Sequence, residues 1–127
     1  MSEHANVTTF VACERIIEEA QSHKKSIIGI FTNVFFDQLP ARLSHPWFLF
    51  SQITNLDSGK HDVTINIVHD ETQGVVFGAR IEVPESHPDN IDVVLQVNAE
   101  FHKEGKHVAT LNIGGDQRAW FVLNVKL

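Results

Sequence analysis

The chain has one cysteine, no tyrosine, four prolines and seven glycines in 127 residues. A single Cys13 excludes an internal disulfide and a cysteine-based zinc cage. So few prolines and glycines exclude a collagen-like or low-complexity chain. Basic residues are also scarce: ten Lys and Arg stand against sixteen Asp and Glu, a net charge of −6. A binder of phosphate backbones carries a basic field, so nucleic acid is not an expected partner. No window approaches the roughly 20 apolar residues that cross a bilayer, so no membrane is expected either. Met1 to Asn6 has no basic segment and no apolar run, and does not read as a signal peptide. These absences together predict a cytoplasmic protein, a compartment that keeps a lone thiol reduced. Cys13 follows Phe10-Val11-Ala12 and reads as a buried, inert thiol.

Periodicity near two fills the second half. Val63, Ile65 and Ile67 alternate with polar residues, as do Ile91, Val93, Leu95 and Val97. The same parity runs through Val75 to Val83, Ala109 to Ile113 and Ala119 to Val125. Five such segments predict antiparallel strands with one solvated face. Turn signals separate them: Asp70 to Gly74, a loop with Pro84 and Pro88, Lys103 to Lys106, and Gly114-Gly115. In the first half, Val7 to Cys13, Ser26 to Phe36 and Trp47 to Ile53 read as three further strands. The last two are apolar on both parities and want cover on both faces. Residues 14–25 lie between, with acids first and lysines last. They read either as one short helix near residues 15–23 or as a polar connection. The expectation is all-β: one domain over residues 1–127, an antiparallel β-sandwich of about eight strands, with a closed barrel as the alternative.

Catalytic patterns are missing. No G-x-S-x-G elbow and no phosphate loop occur. Eight histidines invite a metal, yet no His-x-His exists. His61 and His69 share a parity but lie roughly 26 Å apart along a strand. His102 and His107 flank one turn and read as surface residues. The paired acids Glu18-Glu19 and Asp70-Glu71 sit in polar turns and read as structural rather than as a general acid–base pair. No enzyme activity, metal or cofactor is expected.

One pattern is distinctive. Phe10-Val11-Ala12-Cys13-Glu14 is followed by a polar spacer, then Ser26-Ile27-Ile28-Gly29-Ile30-Phe31, then Pro40 and Trp47-Phe48-Leu49-Phe50. The turn at Gly105 and the hairpin at Gly114-Gly115 continue it. This resembles a family of small uncharacterised bacterial domains with an apolar-Cys-Glu, spacer, Ser-Ile-Ile-Gly-Ile-Phe opening. The resemblance implies an immunoglobulin-like β-sandwich and no particular activity.

Two functional expectations follow. The first is a structural or protein-interaction module acting as a homo-oligomer or with a protein partner, because the two-sided apolar strands want a covering surface. The second is a small-molecule or carbohydrate-binding module using aromatic rings at Trp47, Phe48, Phe50 and Trp120. Trp120 opposes the parity of Phe121 and Leu123 and should point away from the core.

Overall fold

In the computed structural model, which describes residues 4–127, nine strands form two sheets. They are β1 (Asn6–Glu18), β2 (Lys25–Phe31), β3 (Asn33–Phe35), β4 (Trp47–Thr54), β5 (His61–His69), β6 (Val75–Val83), β7 (Ile91–Val97), β8 (Gly105–Ile113) and β9 (Asp116–Lys126). One sheet has the order β2-β1-β4-β7 and the other β3-β9-β8-β5-β6. This is the Greek-key order of an immunoglobulin-like sandwich, with β2 added beside the first strand. The parity read from the sequence holds: Val63, Ile65, Ile67, Ala109, Leu111, Ile113, Leu123 and Val125 all face the core. Phe10 meets Phe121 across the two layers, ring centroids 4.9 Å apart. At one end, Trp47 packs edge-on against Phe31 and stacks with Phe101, at 5.4 and 6.4 Å.

The first half departs from expectation in three ways. Ser26 to Phe36 is not one strand. It crosses at Thr32 from β2 in the first sheet to β3 in the second, where β3 runs parallel to β9. Its two-sided apolarity arises because each half faces a different neighbour. The strand total becomes nine, and one pairing is parallel. Residues 15–23 hold no helix: β1 continues to Glu18 and a tight turn closed by Glu19 N–H to Lys24 O (2.8 Å) leads into β2. Ile16 and Ile17 belong to a paired ladder, opposite Ile27 and Ser26, and β-branched side chains suit it.

The far end of this hairpin does not continue straight. Asp92 pairs with Gln52, and Gln52 with Thr9. Thr9 and Glu18 are nine residues apart on β1, about 30 Å in an extended strand. Yet Lys25, the partner of Glu18, places its Nζ 2.7 Å from Asp92 Oδ2 and 3.0 Å from Glu18 Oε1. The β1–β2 arm therefore folds back over the outer face of its own sheet. The bend lies where Gly29, between the paired Ile28 and Ile30, adopts φ +70°. A Cβ on Gly29 would lie 2.9 Å from Glu14 Cγ and Cδ, so the glycine also makes room for that side chain. On the covered face, Cys13 and Phe50 are buried although neither belongs to the inter-sheet core.

Burial pushes the Cys13 thiol up, partly countered by the Arg15 backbone N–H, so the thiol stays protonated and unreactive. Its place at the base of the arm makes it a reporter of arm opening. Hydrogen bonds to Asp92 and Glu18 raise Lys25, and the bond from Lys25 lowers Glu18. The link is therefore complete between the two ordinary values. It is lost as pH rises through the raised lysine value, or falls below about 4.5 through the lowered carboxyl value.

Two outcomes follow. Asp92→Asn should speed labelling of Cys13 by an aromatic disulfide reagent by about two- to five-fold near neutral pH, the range of a single ion pair with exposed members. Labelling at the wild-type rate would show that the ion pair does not hold the arm. Gly29→Ala should lower unfolding stability in urea by about 1–2 kcal/mol, because the left-handed backbone is strained for any Cβ. An unchanged midpoint would place the bend elsewhere.

Candidate functional site

The two sheets treat their outer faces differently. The four-stranded sheet is crossed by its own arm. The outer face of the five-stranded sheet is open, and its register builds a surface from residues distant in sequence. Trp120 stands opposite Thr110, Thr110 opposite Asn66, and Asn66 opposite Gly78. The next row is Val122, Val108 and Val68. On the other side lie Asn112 and Thr64, linked at 3.4 Å. All alternate with buried residues of the same strands, so all point to solvent. On the edge strand β6, Arg80 stands opposite Thr64 and bonds Asp62 at 3.0 Å and Glu82 at 3.3 Å. At the other edge, Lys126 Nζ sits 5.9 Å from the Phe35 ring centroid.

The aromatic candidates separate sharply. Trp120 is 61% exposed and at the surface, as its parity predicts. Trp47 is 3% exposed and Phe50 2%, which corrects their reading as stacking faces. Trp47 faces the inter-sheet core, and Phe50 is buried on the arm-covered face. Phe48 is half-buried on that same outer face, opposite Cys13 and Gln96. The four do not form one site. Trp47 keeps an edge on a hollow of about 300 Å³ at the base of the arm, beside Glu14, Phe31, Asn33 and His45.

Beside Trp120, a hollow of about 250 Å³ is lined by Val68, Val108, Thr110, Asp70 and Gln73. Thr110 is the shared element, lining the hollow and pairing with Trp120. Val68, Thr110 and Gln73 were not singled out from the sequence. The signal was present only as outward parity on β5 and β8, and their meeting depends on register.

The histidines also regroup. His107 faces His69 across the β5–β8 ladder, ring centroids 4.9 Å apart, rather than His102. Both are buried, against the expectation for His107. Their parity, shared with Val63 to Ile67 and Ala109 to Ile113, was the legible sign. His69 Nδ1 accepts the Thr72 N–H at 3.1 Å, leaving its Nε2–H for Glu104 O at 3.1 Å. His107 Nδ1–H donates to Gly105 O at 3.1 Å, and its buried Nε2 has no partner. Burial pushes the pKa of His107 down, partly countered by its bond to Gly105 O and aided slightly by His69. Among the described residues no group of three His, Cys, Asp or Glu is arranged to hold a metal.

The His107 environment makes a pH prediction. A histidine depressed in the folded state contributes stability that is complete above its unfolded value near 6.5. That contribution fades as pH falls below it, because the unfolded chain then binds more protons. The thermal midpoint should therefore fall between about pH 7 and about pH 5, and fall less steeply in His107→Phe. Parallel slopes in differential scanning fluorimetry would remove His107 as the cause.

A family model for a family of unknown function (DUF6941) matches residues 8–126. No curated protein matches the chain. Among solved structures, an alkylpurine DNA glycosylase from Pseudomonas fluorescens, bound to DNA with an abasic-site analogue, is similar at a TM-score of 0.56 and 9% identity. A β-glucosidase from Listeria innocua in complex with isofagomine is similar at 0.52 and 7%. Both likenesses cover 97% of this chain but only 30% and 16% of the other chains. This chain thus spans less than a third of either enzyme, and at such identities the likeness is one of fold alone.

Proposed function

The chain belongs to this family of unknown function (DUF6941), and we propose that it is a non-enzymatic interaction module of the cytoplasm that self-associates through the β1–β2 arm. The observation that carries this reading is a stripe of exposed isoleucine along the arm. Ile28 lies opposite Arg15 and Ile17 opposite Ser26, which puts these two on one face of the arm, and Ile30 lies on the other side of the Gly29 bend, opposite Cys13. They are 43, 41 and 60% exposed, although β-branched apolar residues normally seek cover. The original motive for an interface, the two-sided apolarity of the first-half strands, is partly met within the chain by the folded arm. The isoleucine stripe is the part left over.

A second copy is the partner best suited to this stripe. Among the described residues, β2 is an edge strand with no strand beside its outer backbone groups. Two β2 strands related by a two-fold axis would pair backbone to backbone and bring isoleucine onto isoleucine, a self-complementary contact. The negative net charge supports a protein rather than a nucleic acid as partner. A second reading, ligand binding, is favoured by the open face around Trp120.

Multi-angle light scattering should give a dimer for the wild type and a monomer for the double variant Ile28→Lys, Ile30→Lys, with the fold of both verified by circular dichroism. A wild-type protein that is monomeric at every concentration tested would overturn self-association.

A further inference from the structure

We propose that the outer face of the five-stranded sheet, centred on Trp120, binds a neutral saccharide. The inference deepens the ligand-binding reading of that face and is independent of the arm.

Three features meet there. The first is an indole with 61% of its surface in water, between Ala119 and Phe121, which pack against the core. The C–H faces of a pyranose ring are apolar, and an exposed indole offers a flat apolar platform of matching size at little entropic cost. The second is the row beside it. Thr110 and Asn66 present a hydroxyl and an amide, each both donor and acceptor, the pairing that sugar hydroxyls require. Gly78 ends the row without a side chain, and a Cβ there would come within 3.0 Å of Asn66 Oδ1. The glycine therefore leaves the amide accessible from above. The third is the hollow of about 250 Å³ on the other side of Thr110. Its floor of Val68 and Val108 is apolar, and its wall of Gln73 and Asp70 is polar. That combination suits one sugar ring rather than a drug-sized molecule, whose pockets start near 300 Å³.

Charge selects among saccharides. The rows around Trp120 carry one charged group, Arg80 opposite Thr64 on the edge strand, and its guanidinium is engaged by Asp62 and Glu82. Asp70 at the hollow would repel a uronate or sulfate, so the ligand class is neutral.

Affinity electrophoresis of the full chain tests this, using gels that contain hydroxyethyl cellulose, soluble starch, xylan or laminarin in turn, with alginate as the anionic comparison. At least one neutral polysaccharide should retard the wild type more than alginate does. Trp120→Ala should weaken that retardation about tenfold or more, and Asn66→Ala should weaken it too. The same polysaccharide should alter the tryptophan emission of the wild type, since Trp47, the only other indole, is buried. Trp120 is exposed, so its loss leaves the core intact, and equal thermal midpoints will verify this. Retardation in none of the neutral gels, retardation by alginate alone, or retardation unchanged in Trp120→Ala would each overturn the proposal. If these fail while the arm variant still dissociates the dimer, the saccharide is excluded and the interaction module stands.

Discussion

Burial on both sides of β4 is the constraint from which the first half of this structure follows. Trp47, Leu49 and Ile53 fill the space between the sheets, and Phe50 projects to the opposite side. In a two-layer sandwich the outer side has nothing to pack against, and a phenylalanine exposed there forfeits about 1.5–3 kcal/mol of burial. The chain supplies its own cover by extending β1 beyond the sheet, turning, and bending back. Three local properties make the bend possible: a glycine where the backbone turns left-handed, a lysine long enough to reach Asp92, and two carboxylates to receive it. The return strand then has to cross to the other layer to regain the sandwich order, and it does so at Thr32.

That solution leaves the two outer faces unlike. One is covered by an arm that still shows isoleucine to solvent. The other is flat, uncharged at its centre, and marked by one exposed indole. An immunoglobulin-like sandwich commits its interior entirely to packing, so recognition has to fall on edges, faces or loops. Here an edge with apolar side chains and a face with hydroxyl, amide and indole groups are chemically distinct. The first suits a protein surface with open strand edges, and the second suits a hydroxylated ligand. The proposed self-contact and the proposed saccharide therefore fall on different sheets.

The groups most often associated with chemistry are turned inward. Cys13 is sealed at the base of the arm with its thiol protonated. His69 and His107 close one end of the β5–β8 ladder, with their ring nitrogens directed mainly at backbone carbonyls and amides of the adjoining turns. Phe101 lies edge-on to His107 at 5.2 Å and joins this pair to the Trp47 stack. The histidines thus act as packing residues with hydrogen-bonding tips. They tie stability to pH without offering a converging set of ligands.

The alternation of apolar residues by itself determined the all-β class, the five strands from residue 61 onward, the inward set of valines, isoleucines and leucines, and the outward direction of Trp120. Period two is a local property, so it survives without knowledge of the fold. The opening pattern also suggested an uncharacterised family, and the chain belongs to one. Tertiary structure alone decided what the apolar parities of residues 14–36 meant. A strand that bends over its own sheet and one that changes sheets both read as apolar on two faces. The acids and lysines of residues 14–25 suited a helix dipole equally well, until Lys25 was found against Asp92, 67 residues away. The neighbours of Trp120 and the partner of His107 were hidden for the same reason. Parity tells which side of a strand a residue takes, and only register tells which residue stands across from it.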